Sequence, residues 1–113
     1  MGDCIFCNIA DGEMDTDLIY EDDKIMAFED INPKAPVHIL LVPKKHISTL
    51  MDLENEDYSL VGDIYKIAAE LAEEHGIAKE GFRIVSNCNE KGGQTVFHVH
   101  FHLLGGRQLK KMG

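Results

Sequence analysis

The 113-residue sequence has no tryptophan, three prolines and three cysteines. A small, odd number of cysteines is not the disulfide framework of a small secreted domain. The sequence also lacks an apolar run near the ~18 residues that a membrane-spanning helix needs, and its N-terminus lacks the basic start and cleavage site of a signal peptide. We therefore predict a cytoplasmic protein that has no membrane partner.

Basic residues are scarce: the sequence has 11 Lys and Arg residues against 20 Asp and Glu residues, which gives a formal net charge of −9. Affinity for a nucleic-acid backbone comes largely from Lys and Arg contacts that release counterions. Because the basic residues are scattered along the chain, we predict that no nucleic-acid polymer is a partner. The pair Lys44-Lys45 and the basic residues near Arg107 suffice for one small phosphate, which leaves single nucleotides as candidate ligands.

The hydrophobic pattern predicts one α+β domain over residues 1–113, since no repeat, low-complexity segment or linker divides the chain. The predicted elements are a short helical turn at 4–10, strands at 18–21, 24–29, 37–42, 82–86 and 96–104, and a helix at 56–75. Asn55 is the expected N-cap of that helix and Gly76 its C-terminal stop. Because most strands are joined by short turns, we predict a five-stranded antiparallel sheet.

Three histidines alternate with apolar residues near the C-terminus. In a strand, His98, His100 and His102 share one face, while Val99 and Phe101 point to the core on the other. A buried imidazole has two nitrogens that need partners, so three alternating histidines are costly as packing residues. The pattern indicates chemistry, either through a metal ion that activates water or through one imidazole acting as a nucleophile.

A polar loop before the histidines is a candidate phosphate site. Gly92 and Gly93 let main-chain amides approach anionic oxygens closely. Gln94 and Thr95 add a side-chain amide and a hydroxyl group. The Gly-Gly pair alone is a weak signal, but beside three alternating histidines it supports phosphate binding.

The cysteines are divided between one motif and one isolated position. Cys4 and Cys7 form a C-x-x-C spacing, which either binds a metal or cycles as a redox pair. The spacing alone leaves a structural metal, a redox pair and coincidence open. Cys88 is interpreted as a small buried apolar residue.

The segment from His98 to Leu104 resembles the His-φ-His-φ-His-φ-φ pattern of the histidine triad (HIT) superfamily. Its surroundings are similar to the HINT branch of nucleoside phosphoramidases. The segments that carry the similarity are residues 4–8, 28–36, 43–48 and 92–107. The resemblance implies a five-stranded antiparallel sheet with helices, paired into a homodimer whose sheet continues across the two-fold axis.

The resemblance also implies an activity, hydrolysis of the P–N bond of purine nucleoside 5′-phosphoramidates of the AMP or GMP type. It makes His100 the nucleophile that attacks the α-phosphorus and forms a nucleotidyl-His100 intermediate, without a catalytic cofactor. His102 would contact the phosphate and help to protonate the leaving group, and His38 would support the triad from the neighbouring strand. The alternatives are cleavage of a dinucleoside polyphosphate or nucleotide sugar, a non-catalytic nucleotide-binding or interaction module, and a metallohydrolase that uses all three histidines.

The binding residues are carried over from the same resemblance. Asp30 matches a ribose-binding carboxylate. The residues that match the walls of the base pocket are Ile5, Phe6, Ile9, Phe28 and Ile31, and those that match phosphate and leaving-group contacts are Asn87, Gly93 and Thr95. Thr95 stands where the best-known HINT enzymes have Ser, and its added methyl group restricts the rotamer of the hydroxyl.

For the C-x-x-C motif, the resemblance implies a zinc ion. The matching ligands are Cys4, Cys7, His46 and His98. Two thiolates and two imidazoles form a closed shell, which suits a structural site better than a catalytic one. In that case His98 is a metal ligand and not a catalyst.

Overall fold

The computed structural model describes residues 4–113, and residues 1–3 of the predicted domain lie outside the described residues. The elements are α1 (Ile5–Ala10), β1 (Leu18–Glu21), β2 (Ile25–Glu29), β3 (Val37–Pro43), α2 (Tyr58–Glu74), β4 (Phe82–Val85) and β5 (Phe101–Gly105). Short 3₁₀ turns lie at Leu50–Asp52, Asn55–Asp57 and Glu90–Gly92. No helix within residues 4–113 has the length and hydrophobicity that crossing a membrane requires.

The five strands form one antiparallel sheet in the order β1-β2-β3-β5-β4. This confirms the predicted sheet, together with the single long helix and the short N-terminal helix. The central pair, β3 and β5, places Leu40 opposite His102 and His38 opposite Leu104. The sheet therefore brings His38 beside the last of the three alternating histidines.

The two faces of the sheet carry two different apolar clusters. Successive side chains of β3 alternate between them, because Ile39 and Leu41 belong to one cluster and Leu40 and Val42 to the other. Helix α2 covers the first face with residues spaced by three and four, namely Ile64, Ile67, Ala68 and Leu71. The short helix α1 covers the second face through Phe6 and Ile9. The second face also bears the histidines, so α1 lies next to the chemistry.

The last strand was predicted to begin at residue 96, which is too early. Strand β5 starts at Phe101, so His98 and His100 precede it instead of lying within it. The strand starts late because the main chain before it pairs elsewhere. The Val99 amide donates to the Ile47 oxygen at 2.7 Å, in the loop after β3, and not to a neighbouring strand. Burial still alternates as predicted, because Val99 and Phe101 join the core on the α2 side.

Helix α2 begins later than predicted. Asn55 opens a 3₁₀ turn, and the residue before the helix is Asp57, whose carboxylate accepts hydrogen bonds from Lys45 Nζ at 2.8 Å and the Glu54 amide at 2.9 Å. This buried carboxylate organises the turn, so Asn55 is not the cap. Gly76, with a φ of +73°, follows the helix as predicted.

Cys88 also differs from its prediction. Strand β4 ends at Val85, and Cys88 lies in the following loop, where it is half-buried. It is therefore not a core residue.

Candidate functional site

Two cysteines and two histidines converge from three separate segments. Cys4 and Cys7 lie at helix α1, His46 lies after β3, and His98 lies before β5. Cys4 Sγ is 3.3 Å from His98 Nδ1, Cys7 Sγ is 3.2 Å from His46 Nδ1, and the two Nδ1 atoms are 3.2 Å apart. A tetrahedral ion with metal–sulfur bonds of about 2.3 Å and metal–nitrogen bonds of about 2.05 Å has S–N edges of about 3.6 Å and N–N edges of about 3.3 Å. The donor spacing fits a four-coordinate metal.

The protonation of this cluster also fits a metal site. His98 is fully buried, and its Nε2–H donates to the Pro43 oxygen at 2.7 Å, which leaves the Nδ1 lone pair facing the cysteines. Such an outer hydrogen bond is the usual way of fixing the tautomer of a metal-binding histidine. Burial and the neighbouring Cys4 raise the pKa of the Cys7 thiol to about 11, so a bound cation is what would hold Cys7 as a thiolate.

His100 is buried beside this cluster. Its Nδ1 lies 2.7 Å from the main-chain oxygen of His98, and because a carbonyl only accepts, Nδ1 carries the hydrogen. The Phe6 and His102 rings each pack edge-on against the His100 ring, with centroids 5.1 Å away. Within residues 4–113, no protein group is hydrogen-bonded to His100 Nε2. The ring is therefore fixed with a lone pair on an atom that a substrate can reach.

A second pair of imidazoles lies next to His100. The Lys34 amide donates to His38 Nδ1 at 3.0 Å, and His38 Nε2 lies 2.9 Å from His102 Nδ1. Asp30 Oδ2 is 3.4 Å from the same His38 Nε2. Burial lowers the pKa of both histidines; that of His102 falls to about 4, because the neighbouring His100 and His38 add to the effect. Both rings are neutral at pH 7.

Asp30, His38 and His102 also bring their donor atoms within 4.8 Å of one another. A metal there would need the lone pair of His38 Nε2. The Lys34 amide occupies the lone pair of His38 Nδ1, so a neutral His38 carries its hydrogen on Nε2. The arrangement is a chain of hydrogen bonds and not a second metal site.

The three alternating histidines have three separate environments. His98 Nδ1 faces the cysteines, His100 Nδ1 donates to a carbonyl, and His102 Nδ1 faces His38. In the part of the chain that the structure describes, they do not form a common metal-binding group. The geometry thus favours imidazole chemistry at His100 over a metal centre built from all three.

The predicted base-pocket residues divide into a buried floor and an exposed rim. Phe6, Ile9 and Phe28 belong to one apolar cluster, in which the two phenylalanine rings meet edge-to-face at 5.8 Å. Ile5 and Ile31 are 43% and 91% exposed. Such exposed isoleucines are available to an apolar ligand.

Asp30 directly follows β2, and its carboxylate lies beside His38. Its Oδ1 accepts the Asn32 amide at 2.8 Å, and its Oδ2 faces His38. Each carboxylate oxygen can accept two hydrogen bonds, so Asp30 retains acceptor capacity for a further donor.

The loop before the histidines differs from its prediction at Gln94. This side chain is buried; its Oε1 accepts from the Asn89 amide at 2.8 Å, and its Nε2 donates to the Ser48 and Val96 oxygens at 2.8 and 3.0 Å. The prediction that its amide serves a phosphate is therefore wrong, because every polar atom is used inside the protein. Gln94 instead holds the loop against the segment that carries His46.

The other predicted loop residues, Asn87, Gly93 and Thr95, are not fully buried. Asn87 is half-buried and packs over Gly93, whose φ is +92°, and Thr95 is exposed. Ser86, which sequence analysis missed, donates from Oγ to the His100 oxygen at 3.0 Å and ties the start of this loop to the histidine segment. No sequence signal marks Ser86, because its partner is a main-chain atom.

Comparison with known families gives one match over most of the chain. The HIT domain family profile matches residues 11–109. The chain belongs to the HIT domain family. This HIT chain is 45% identical over 108 residues to a protein of Escherichia coli (strain K12) named purine nucleoside phosphoramidase, which covers 96% of this chain and 91% of that protein.

Solved structures of HIT proteins share the fold of this chain. A HIT family hydrolase from Legionella pneumophila Philadelphia 1 has a TM-score of 0.93 and 47% identity, covering 96% of each chain. A histidine triad protein from Clostridium difficile has a TM-score of 0.94 and 44% identity, covering 100% of this chain and 98% of that one. The family resemblance read from the histidine pattern is therefore confirmed.

Proposed function

We propose that this HIT protein hydrolyses the P–N bond of purine nucleoside 5′-phosphoramidates of the AMP or GMP type, through a nucleotidyl-His100 intermediate. The observation that carries the proposal is the hydrogen bond from His100 Nδ1 to the His98 oxygen, which leaves the Nε2 lone pair free for attack. The 45% identity to a purine nucleoside phosphoramidase over nearly the whole chain supports the substrate class.

The reaction proceeds in two displacements at phosphorus. His100 Nε2 forms a bond to the α-phosphorus while the P–N bond to the amine breaks, and the amine leaves after gaining a proton. Water then attacks the same phosphorus, its hydroxyl remains on the nucleotide, and the bond to His100 breaks. The sum is one phosphoramidate and one water converted to a nucleoside monophosphate and an amine. The imidazole suits both steps because it is a good nucleophile and a good leaving group near neutral pH.

The substrate is held by the residues around His100. Asp30 accepts from the ribose hydroxyls. His102 contacts the phosphate and helps to protonate the leaving amine, and His38 supports the triad from the neighbouring strand. The purine lies against Ile5, Phe6, Ile9, Phe28 and Ile31, while Asn87, Gly93 and Thr95 contact the phosphate and the leaving group. The buried floor and exposed rim of the apolar residues support this placement of the base.

Zinc is the proposed occupant of the Cys4, Cys7, His46 and His98 cluster. Its preference for four tetrahedral sulfur and nitrogen ligands matches the donor set and spacing. When bound it supplies a structural link between α1 and the segment that carries His100. The full proposal is a single cytoplasmic domain over residues 1–113, a homodimer with a continued sheet, and a purine nucleotide as ligand, without a nucleic-acid or membrane partner.

The test is the mass of the intact protein after a rapid acid quench with an adenosine 5′-phosphoramidate. We expect one adenylyl group on the native protein and none on His100→Ala, which should keep its fold and metal content. His75→Ala, at the far end of α2, is the matched histidine control and should keep both adduct and turnover. Turnover retained by His100→Ala would refute the mechanism, and faster cleavage of a dinucleoside polyphosphate or nucleotide sugar would refute the substrate class. Tight nucleotide binding without any turnover would identify a binding module.

A further inference from the structure

The C-terminal tail leaves β5 against the loop of residues 30–36, here called the β2–β3 loop. Strand β5 ends at Gly105, which lies opposite Val37 at the start of β3. The next residue, Gly106, has a φ of +98°, and a Cβ atom on it would lie 2.9 Å from Pro36 Cβ. Because glycine has no side chain, the tail can lie directly on the end of the loop.

Arg107 joins the tail to the loop through its guanidinium group. Its Nη2 donates to the Lys34 oxygen in the loop at 2.7 Å, and its Nη1 donates to the Gln108 oxygen in the tail at 2.9 Å. A guanidinium group holds its donors in a rigid planar fork, so the two bonds together fix its orientation. The bond to the Lys34 oxygen has a charged donor, which makes it stronger than a bond between neutral groups.

The tied carbonyl belongs to the same loop as Asp30. Asp30 Oδ1 accepts a hydrogen bond from the Asn32 amide at 2.8 Å, and the Asp30 amide donates to the His38 oxygen at 2.9 Å. Pro33 separates Asn32 from Lys34 and has no amide hydrogen that could add another tie. The orientation of the Asp30 carboxylate therefore depends on the main chain of this loop.

We propose that Arg107 is a positioning residue for nucleotide binding, which holds the β2–β3 loop in the conformation that presents Asp30 to the ribose hydroxyls. This inference rests on the proposed function, which assigns the ribose contact to Asp30. Arg107 acts through the Lys34 carbonyl and touches neither the nucleotide nor the reacting atoms. Without Arg107 the loop populates other conformations, and the affinity for the nucleotide falls in proportion to the fraction that can still bind.

The nucleophile is held independently of this tie. His100 Nδ1 donates to the His98 oxygen, and the Phe6 ring packs against the His100 ring. Neither contact involves the tail or the β2–β3 loop. Loss of Arg107 should therefore weaken binding of the ground state and of the transition state alike, which raises KM and leaves kcat nearly unchanged.

The first test is limited proteolysis of the metal-loaded protein, because the Arg107 bond holds the carbonyl of a peptide bond that trypsin recognises, Lys34–Ala35. Cleavage requires the loop to open, so its rate follows the population of the open form. We expect Arg107→Ala to speed this cleavage on the order of tenfold, the value of one hydrogen bond with a charged donor. Cleavage after Lys24, at the other end of β2, is the internal reference and should keep its rate.

The second test measures binding of AMP and of 2′,3′-dideoxy-AMP by calorimetry. Arg107→Ala should weaken AMP binding on the order of tenfold and dideoxy-AMP binding much less, because the dideoxynucleotide has no hydroxyls for Asp30 to accept. In an Asp30→Ala background, Arg107→Ala should cause little further loss, since residues that act through one contact are not additive. Saturating AMP should slow the tryptic cleavage after Lys34, because coupling between loop and ligand is reciprocal.

The third test separates KM from kcat on an adenosine 5′-phosphoramidate. Arg107→Ala should raise KM on the order of tenfold and keep kcat within about threefold. Arg107→Lys retains one charged donor for the Lys34 oxygen and should recover part of the loss. Lys110→Ala removes the same charge from the same tail and is the matched control, which should keep native KM and tryptic pattern.

Three results would overturn the proposal. They are an unchanged rate of cleavage after Lys34 in Arg107→Ala, equal losses for AMP and dideoxy-AMP, and a loss of full size in the Asp30→Ala background. Circular dichroism and metal content show whether each variant keeps its structure. Proteolysis and calorimetry need no turnover, so AMP binding without phosphoramidase activity would refute the proposed reaction and leave the role of Arg107 to be decided by these two measurements.

Discussion

The main-chain oxygen of His98 accepts a 2.7 Å hydrogen bond from Nδ1 of His100, while the ring of His98 faces the two cysteines of the candidate metal-binding cluster. One residue therefore serves two sites: its side chain is a candidate metal ligand, and its main chain fixes the tautomer of the candidate nucleophile. The candidate metal site and the candidate nucleophile therefore share this residue.

The first prediction concerns the metal site. Cys7→Ser removes a ligand, and we expect the bound metal to fall from about one ion per chain to well below one. A metal present at 100 times its Kd contributes about 2.7 kcal/mol, so the free energy of unfolding should decrease by about that amount. Turnover should fall as well, but less than in His100→Ala, because the nucleophile remains. The measurements are elemental analysis and urea denaturation.

Cys88→Ser is the matched control for that experiment, because Cys88 is a free cysteine outside the cluster. It should keep the native metal content and stability. Equal metal content in the Cys7→Ser and Cys88→Ser variants would contradict the assignment of the cluster.

The second prediction concerns ribose recognition by Asp30. Asp30→Ala should weaken nucleotide binding by about 10- to 100-fold, the value of one hydrogen bond to a charged group. The loss should be much smaller for a 2′,3′-dideoxynucleotide, which has no hydroxyls to donate. Calorimetric titration of both nucleotides into both proteins gives the coupling between the residue and the hydroxyls. An equal loss for the two nucleotides would show that Asp30 does not contact the ribose.

The third prediction concerns the Gln94 amide. Gln94→Leu keeps the apolar part of the side chain but leaves the Asn89 amide and the Ser48 and Val96 oxygens without their partner. Because a buried polar group without a partner costs about 1 to 3 kcal/mol, the free energy of unfolding should fall by at least that amount. Urea denaturation measures the loss. Gln108→Leu, in the exposed tail, is the matched control and should change stability by less than about 0.5 kcal/mol.

The fourth prediction concerns stability in acid. The pKa values of His38 and His102 are lowered in the folded protein, that of His102 to about 4, so between about pH 6.5 and pH 4 the unfolded chain binds more protons. The free energy of unfolding is therefore at its full value above about pH 6.5 and decreases as the pH falls through this window. Urea denaturation at several pH values should show a shallower decrease in His102→Gln. An unchanged pH dependence at equal metal content would contradict the burial effect.

The local hydrophobic pattern was enough to predict the strands and helices, because their periodicity is visible in consecutive residues of the sequence. The limits of β5 and α2 were predicted less well. The Val99 amide pairs with the Ile47 oxygen, and the Asp57 carboxylate pairs with Lys45, and both contacts join residues distant in sequence. Such partners compete with the local pattern at the ends of elements, where periodicity is weakest.

The sequence by itself determined the histidine alternation and the C-x-x-C spacing, since these are statements about residue types and their positions, and its resemblance to the HIT superfamily implied the candidate ligands and the candidate nucleophile. Only the tertiary structure decided which nitrogen of each histidine ring carries the hydrogen and which atoms of the site remain free to contact a ligand. Main-chain partners set the tautomers: the His98 oxygen for His100 and the Lys34 amide for His38. Every residue has such an amide or oxygen, so sequence carries no mark of the one that folding brings to a ring. The same reason explains why the prediction for Gln94 was wrong: the partners that occupy its side-chain amide are main-chain groups, which the sequence does not mark.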